Sequence, residues 1–583
     1  MGKETLAKTT EAQEMQGEEM SKSNSQQGIM LNRREALWLS ATTGLGIALG
    51  RKAMASDSTK TGVHQQEPGT CSTPRSAVAK TQYGPVRGYV DGDVFTFKGV
   101  PYGQNTAGEN RWLPAKAPVP WKDEYPALVY GANCPQTLHD WTGNEQTFLQ
   151  DWDDGWQSED MLKLNIWTPS LSGSRPVMFY IHGGGFQFGS SYELPSHEGA
   201  QMARHHDVVQ ISVNHRLNGL GFLDVSNIGG SSYEDSVSVG MSDLVAALKW
   251  VQENVANFGG DPNKVMIYGQ SGGGGKVATL MGMPSAKGLF HRASIQSGGS
   301  FAADKEEAKE FAAMLVKQLG IGANDIGALQ KLDWATLNAA CDAAQAKMPV
   351  RPGPFGAMPG PPRRFWMPTV DGRVITENTF QNSAPEISKD VPLMIGSVSE
   401  EGNSMRSRPT EDQWRANLMK AYGADKGRAL AEALKKAHPE KSIRTLSYMC
   451  GGGGILNAIS IRNSVVRMAK MKHDLKAAPV YTYYFTWQSP MLEDAGAWHT
   501  AELQFCFDNT KRCEQGTGNT PQAQALAKKM ATAWANFART GNPSQPGLAW
   551  TPSDPEHNQT MVWDNECRMV NDPEGDVRKM IES

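Results

Sequence analysis

The sequence predicts an α/β fold, and three observations carry the prediction. The chain has 583 residues with 39% hydrophobic content, enough to bury a large core as one α/β domain or as two to four smaller ones. Residues 264–268, "KVMIY", form an apolar β-rich run that breaks into Gly269-Gln270-Ser271-Gly272-Gly273 and continues as the helix-forming segment "GGKVATLMG". A second β-rich run, 177–181, ends in another glycine turn, His182-Gly183-Gly184-Gly185-Phe186. Strand, turn and helix in succession are the units from which α/β sheets are built.

From the N-terminus, residues 1–29 are polar and free of repeats. Arg33-Arg34 follows, then an apolar stretch from about residue 36 to 50, then Ala53-Met54-Ala55. This resembles a twin-arginine export signal with an A-x-A cleavage site, with Met30 as a more compact start. The apolar part is shorter than the roughly 20 residues a membrane helix needs; a buried or interfacial helix is the alternative. Residues 1–55 are therefore expected to be a cleaved export region and 56–78 a linker to a domain over 79–583, placing the mature protein in the periplasm or outside the cell. No later stretch has transmembrane length, so no stable membrane span is expected after cleavage.

A formal charge of −4 without long basic runs offers no electrostatic footprint for nucleic acid. The seven cysteines lack C-x-x-C spacing, which argues against a zinc site. Cys506 and Cys513, the pair nearest in sequence, are the candidate disulfide for an oxidising compartment. The sixteen tryptophans suit aromatic-lined clefts, although core packing accounts for most of them.

The glycine-rich turn after "KVMIY" could cradle phosphate or mount a nucleophile. A P-loop, G-x-x-x-x-G-K-[ST], would need glycine where Gln270 stands and a hydroxyl where Val277 stands. G-x-S-x-G fits as 269–273, in the strand-to-helix context that a nucleophile elbow requires. A serine hydroxyl is a weak nucleophile, so it needs a base, an orienter for the base, and donors for the oxyanion. Gly183-Gly184-Gly185 after a strand matches an HGGG-type oxyanion loop. A plain turn remains the alternative for either glycine run alone.

At this point the chain resembles the type B carboxylesterases, the cholinesterase-like branch of the α/β hydrolases. The landmarks run in order from residue 82 to about 565: "FKGVPYG", "RWLPAKAPVPW", "SEDMLKLNIWTP", "HGGGF", "NHRLNGLGFL", "DLVAALKWVQENVANFGGDPNKVMIYGQSGGG", "RASIQSGG", "MPTVDG" and "WANFARTGNP". The resemblance implies an α/β-hydrolase fold, with a large mostly parallel central sheet flanked by helices and with inserted loops and helices over the active site. It implies Ser271 as nucleophile and His499, in "AGAWHTAELQFCFDN", as base. The orienting acid is Glu401, in "SVSEEGNSM", with Glu400 as the alternative. Backbone amides of Gly184, Gly185 and Gly272 would hold the oxyanion. The order Ser, acid, His is that of an α/β hydrolase. The implied reaction is ester hydrolysis through an acyl-enzyme on a small-molecule ester, without metal or organic cofactor. An amide or carbamate hydrolase with the same triad and a non-catalytic module of the same fold are the alternatives.

Three departures bear on the resemblance. The family often has glutamate before the nucleophile, where this chain has Gln270. Cys134 matches a half-cystine of many relatives, but Met161 stands at its partner's position, so that disulfide is not expected. The Pro/Gly-rich segment 349–366 reads as a long rigid surface loop, and "DWDDGW", 151–156, as a solvated loop, with a wall of the active-site gorge as its alternative.

Overall fold

The computed structural model describes residues 77–582 apart from 139–144, 301, 349–365, 403–407 and 452–456. The expected export region and all but the last residue of the Pro/Gly-rich segment lie outside the described residues. Every described residue falls within one compact unit, Gln66–Ser583.

Strands β1 (Val78–Thr81), β2 (Gly84–Arg87), β3 (Tyr89–Asp91), β4 (Val94–Pro101) and β5 (Tyr125–Pro126) come first. They are followed by β6 (Lys163–Thr168), β7 (Arg175–Ile181), β8 (Val209–Val213), β9 (Gly260–Gln270) and β10 (Arg292–Gln296). The last are β11 (Leu393–Val398), β12 (Val480–Phe485), β13 (Gln559–Trp563) and β14 (Arg568–Asn571). Strands β1, β2 and β5 make a small separate sheet, and the other strands form one 11-stranded sheet in the order β14-β13-β12-β11-β10-β9-β7-β8-β6-β4-β3. From β8 through β7, β9, β10, β11 and β12 to β13 every pairing is parallel, with antiparallel strands added at both edges.

The two faces of the central strands feed two cores. Along β7, Val177, Phe179 and Ile181 enter one cluster while Met178 and Tyr180 enter the other; on β9, Val265 and Ile267 oppose Met266 and Tyr268 in the same way. Side chains alternate across a strand, and a parallel strand covered by helices on both sides is apolar throughout, which is why "KVMIY" and residues 177–181 read as unbroken apolar runs. The helix Val239–Asn254 covers the first face through Met241, Leu244, Leu248 and Val251. The helix Pro521–Thr540 covers the second through Leu526, Met530 and Trp534. The latter starts where the Thr520 hydroxyl accepts from the Ala523 N–H and ends at Gly541 in the left-handed region, as capping preferences predict.

Between β11 and β12 lie the inserted helices Glu411–Tyr422, Ala424–Ala437 and Ile443–Met449, which share their own core around Trp414, Leu418, Leu430 and Leu434. Trp366, at the end of the Pro/Gly-rich segment, is buried edge-on against Phe311. The loop 151–156 is solvated as expected at Trp156, which is 57% exposed, while Trp152 is half-buried against Phe188.

The Cys506–Cys513 disulfide is not formed: both residues are buried free thiols. Nearness in sequence does not bring them together, because Cys506 turns its sulfur onto β10, where Gln296 donates to it at 3.6 Å, while Cys513 belongs to the next turn, its N–H on the Asn509 carbonyl. Cys134 is also a free thiol, its sulfur accepting the Leu217 N–H at 3.2 Å, and Met161 is buried.

Candidate active site

The chain runs from β7 to β8 on one side and returns to β9 on the other, so the strand order reverses at β7. A crevice opens at the carboxyl ends of strands at such a switch point, and ligands bind there in open α/β sheets. The two glycine turns singled out in the sequence occupy it. Strand β7 ends at Ile181, paired with Gly269 of β9, and the segments that follow are His182 to Phe186 and Ser271.

Ser271 is held between β9 and the helix Gly272–Gly282 at φ 58° and ψ −124°. A non-glycine residue at such angles costs about 1–3 kcal/mol and persists only where its surroundings impose it. Here they do: the Ser271 N–H donates to the Gln296 carbonyl at 2.8 Å, and the Ser271 carbonyl accepts the first helical bond from Gly275. The turn tolerates no side chain at its tightest points. A Cβ on Gly273 would lie 2.1 Å from the Ile181 oxygen, and one on Gly272 would lie 2.4 Å from the Gly185 nitrogen. The second contact brings the elbow backbone against the Gly183-Gly184-Gly185 loop. Among the described residues, no backbone carbonyl accepts from the Gly184 or Gly185 N–H.

Glu401 and Glu400 follow β11, and the structure separates their roles. Glu401 is buried; one carboxylate oxygen accepts from Nδ1 of His499 in a short contact and the other accepts the Val398 N–H at 3.1 Å. Glu400 points the other way. It takes the Lys441 ammonium at 2.7 Å and the Ala497 N–H at 2.7 Å, and its own N–H donates to the Ala497 carbonyl. Glu400 thereby fastens the loop that carries His499. His499 in turn meets Gln270, whose side-chain nitrogen lies 3.2 Å from Nε2 and 3.3 Å from Nδ1. The contact from the elbow to His499, the partner of Glu401, is thus made by Gln270, the chain neighbour of Ser271. With Nδ1–H donated to Glu401, the Nε2 lone pair faces the Gln270 amide nitrogen.

Two residues here escaped sequence reasoning. Glu502, a turn beyond His499, is fully buried, and burial together with the negative charge of Glu401 pushes its carboxyl up to about 8. Its signal in the sequence was an isolated acid in the apolar run "AELQFCF". Lys276 is buried on the elbow helix, with Nζ donating to the carbonyls of His182 at 2.9 Å and Gly183 at 3.2 Å. In the sequence it stands only as the lysine of a P-loop register that fails at Gln270 and Val277. Among the described residues no group of three or more His, Cys, Asp or Glu could hold a metal ion, and no helix is long and apolar enough to cross a membrane.

A mostly parallel sheet with an elbow serine at its switch point and an acid–histidine pair beyond later strands is the α/β-hydrolase architecture. The carboxylesterase family model matches residues 75–577. Para-nitrobenzyl esterase of Bacillus subtilis (strain 168) is 32% identical over 507 residues, covering 86% of this chain and 98% of that protein. Phenmedipham hydrolase of Pseudarthrobacter oxydans is 32% identical over 502 residues, covering 83% and 92%. Among solved structures, an esterase from Clostridium hathewayi, described as hydrolysing aliphatic aromatic polyesters, superposes with a TM-score of 0.75 at 30% identity, covering 88% of this chain and 99% of its own. The chain belongs to the carboxylesterase family, and it is a carboxylic ester hydrolase.

Proposed function

We propose that the protein hydrolyses neutral carboxylic esters of short or medium acyl or aryl type through an acyl-enzyme on Ser271. The observation that carries this is the Glu401–His499 hydrogen bond, with His499 against Gln270, the chain neighbour of the strained elbow serine. His499 Nε2 takes the Ser271 proton as Oγ attacks the ester carbonyl, and Glu401 holds the tautomer and stabilises the imidazolium. The amides of Gly184, Gly185 and Gly272 receive the oxyanion, with the helix Gly272–Gly282 adding the positive end of its dipole. The tetrahedral species collapses as His499 returns the proton to the leaving alcohol. Water then attacks the acyl-enzyme by the same route, and carboxylate departs.

Gln270 supports the preference for neutral esters: it brings an amide to the imidazole where a carboxylate would attract a cationic alcohol group. The Arg33-Arg34 segment supports export of the mature enzyme. Ser271→Ala tests the function: turnover of a chromogenic ester should fall by orders of magnitude in a folded protein, and near wild-type turnover would refute it. Rates on paired ester and amide substrates separate esterase from amidase activity.

A further inference from the structure

Each oxyanion-hole amide named above belongs to a planar peptide whose carbonyl points away from its N–H, so fixing the carbonyl fixes the donor. The Gly272 N–H shares its peptide with the Ser271 carbonyl, which Gly275 holds at 3.0 Å. The Gly185 N–H shares its peptide with the Gly184 carbonyl, which takes the N–H groups of Gln187 at 3.0 Å and Phe188 at 3.3 Å. The Gly184 N–H shares its peptide with the Gly183 carbonyl, and there the ammonium of Lys276 stands at 3.2 Å, bridging to the His182 carbonyl at 2.9 Å. Two of the donors are aimed by backbone hydrogen bonds; at the third carbonyl a buried charge is joined by Nδ1 of His182, also at 3.2 Å.

We infer that Lys276 is a positioning residue of the oxyanion loop: its ammonium, clamped on the His182 and Gly183 carbonyls, orients and polarises the Gly183–Gly184 peptide so that the Gly184 N–H meets the developing oxyanion. The inference rests on the assignment of Ser271 as nucleophile and adds a side chain that touches neither substrate nor triad.

The fold alone does not account for this lysine. Its side chain is fully buried, and among the described residues no carboxylate forms an ion pair with Nζ. The Phe186 ring, 5.6 Å from Nζ, covers it. Removing an ammonium from water without a counter-ion is costly, and burial pulls Lys276 down to about 7, with Glu193 opposing from a distance. An apolar side chain of equal length would fill the space without that cost. What it would lack is the charge-assisted hydrogen bond on the Gly183 oxygen, stronger than a neutral one, which draws electron density from the amide and makes the Gly184 N–H a better donor. His182 Nδ1 also stands 3.2 Å from the Gly183 oxygen, but burial and the Lys276 charge hold the ring neutral, so only the lysine brings a charge-assisted bond to that carbonyl.

The test uses the full-length enzyme with Lys276→Met, which keeps length and removes the charge, and Lys276→Gln, which keeps a donor without charge. A fluorophosphonate that labels the nucleophile counts competent sites, and kcat per labelled site, KM and the Ki of a trifluoromethyl ketone, which binds as a tetrahedral adduct, are measured. Removing one oxyanion donor costs about 10²- to 10³-fold in kcat, and mis-aiming one should cost about 10- to 100-fold. Lys276→Met should show that loss in kcat with KM within about twofold, and the ketone should weaken by the same factor as kcat/KM. Lys276→Gln should recover part of both. A kcat and Ki within twofold of wild type, or a loss confined to KM, would overturn the inference. So would failure of both variants to yield soluble enzyme with a wild-type circular dichroism spectrum and cooperative melt, since that would assign Lys276 to folding. If the wild type labels at a residue other than Ser271, the nucleophile assignment falls instead.

Discussion

Replacing Glu401 by glutamine asks how much of the rate depends on one buried oxygen. In the native site each carboxylate oxygen accepts one donor, His499 Nδ1–H on one side and the Val398 N–H on the other. A glutamine amide has one acceptor oxygen and one donor nitrogen, so one of those two partners must meet an N–H. If the oxygen serves Val398, the amide nitrogen faces Nδ1, the proton moves to Nε2, and His499 can no longer accept from Ser271. If the oxygen serves His499, two N–H groups oppose each other at Val398, at a cost of about 1–3 kcal/mol for an unmade buried hydrogen bond. In either arrangement the imidazolium formed in the transition state loses its carboxylate. The expected loss in kcat is about 10³- to 10⁴-fold, or roughly 4–5.5 kcal/mol. The assay is kcat per fluorophosphonate-labelled site on a chromogenic ester, beside Glu400→Gln. The latter removes the carboxylate from Lys441 and the Ala497 N–H but leaves the His499–Glu401 bond, so it should lower thermal stability more than kcat. A loss under tenfold for Glu401→Gln, or a larger kcat loss for Glu400→Gln, would refute this division of labour.

Gln270→Glu places a carboxylate against His499, so kcat/KM for a choline ester relative to its uncharged isostere should rise, from under tenfold in the wild type, where tenfold is about 1.4 kcal/mol. An unchanged ratio would remove position 270 from alcohol selection. Glu502, whose carboxyl is raised to about 8 from 4.5, binds more proton in the folded than in the unfolded state between those values. Its contribution to stability is therefore full below about 4.5 and is lost as pH rises toward 8. Glu502→Gln abolishes that titration, so wild-type Tm should fall relative to the variant from pH 5 to pH 8; a constant offset would contradict the assignment. Because Cys506 and Cys513 are separate thiols, a reductant should leave Tm unchanged, and a drop of several degrees would point to a disulfide.

The central strands and both glycine turns were legible in the sequence because each reports a local necessity. Strands buried on both faces must be apolar along their length, and the elbow admits no Cβ at Gly272 or Gly273. Family resemblance supplied Glu401 and His499, which lie far apart in the chain and carry no local signature; only the fold brings them together. What sequence could not deliver was orientation. Glu400 and Glu401 are adjacent and chemically alike, and the choice between them depends on how the chain leaves β11. Glu502 and Lys276 were missed for a related reason: a lone charged residue in an apolar run declares burial, but its partner is set by tertiary packing. The Cys506–Cys513 expectation failed because sequence distance stood in for spatial distance across two tight turns.

The central claim is an acyl-enzyme on Ser271, and trapping it is the direct measurement. The enzyme is mixed with a slowly deacylating aryl ester, quenched in acid within the first turnovers, digested and analysed by mass spectrometry. An acyl adduct is expected on the peptide containing Ser271, formed with a burst of aryl alcohol equal to the labelled sites and absent in Ser271→Ala. An adduct on another residue, or full turnover by folded Ser271→Ala, would contradict it.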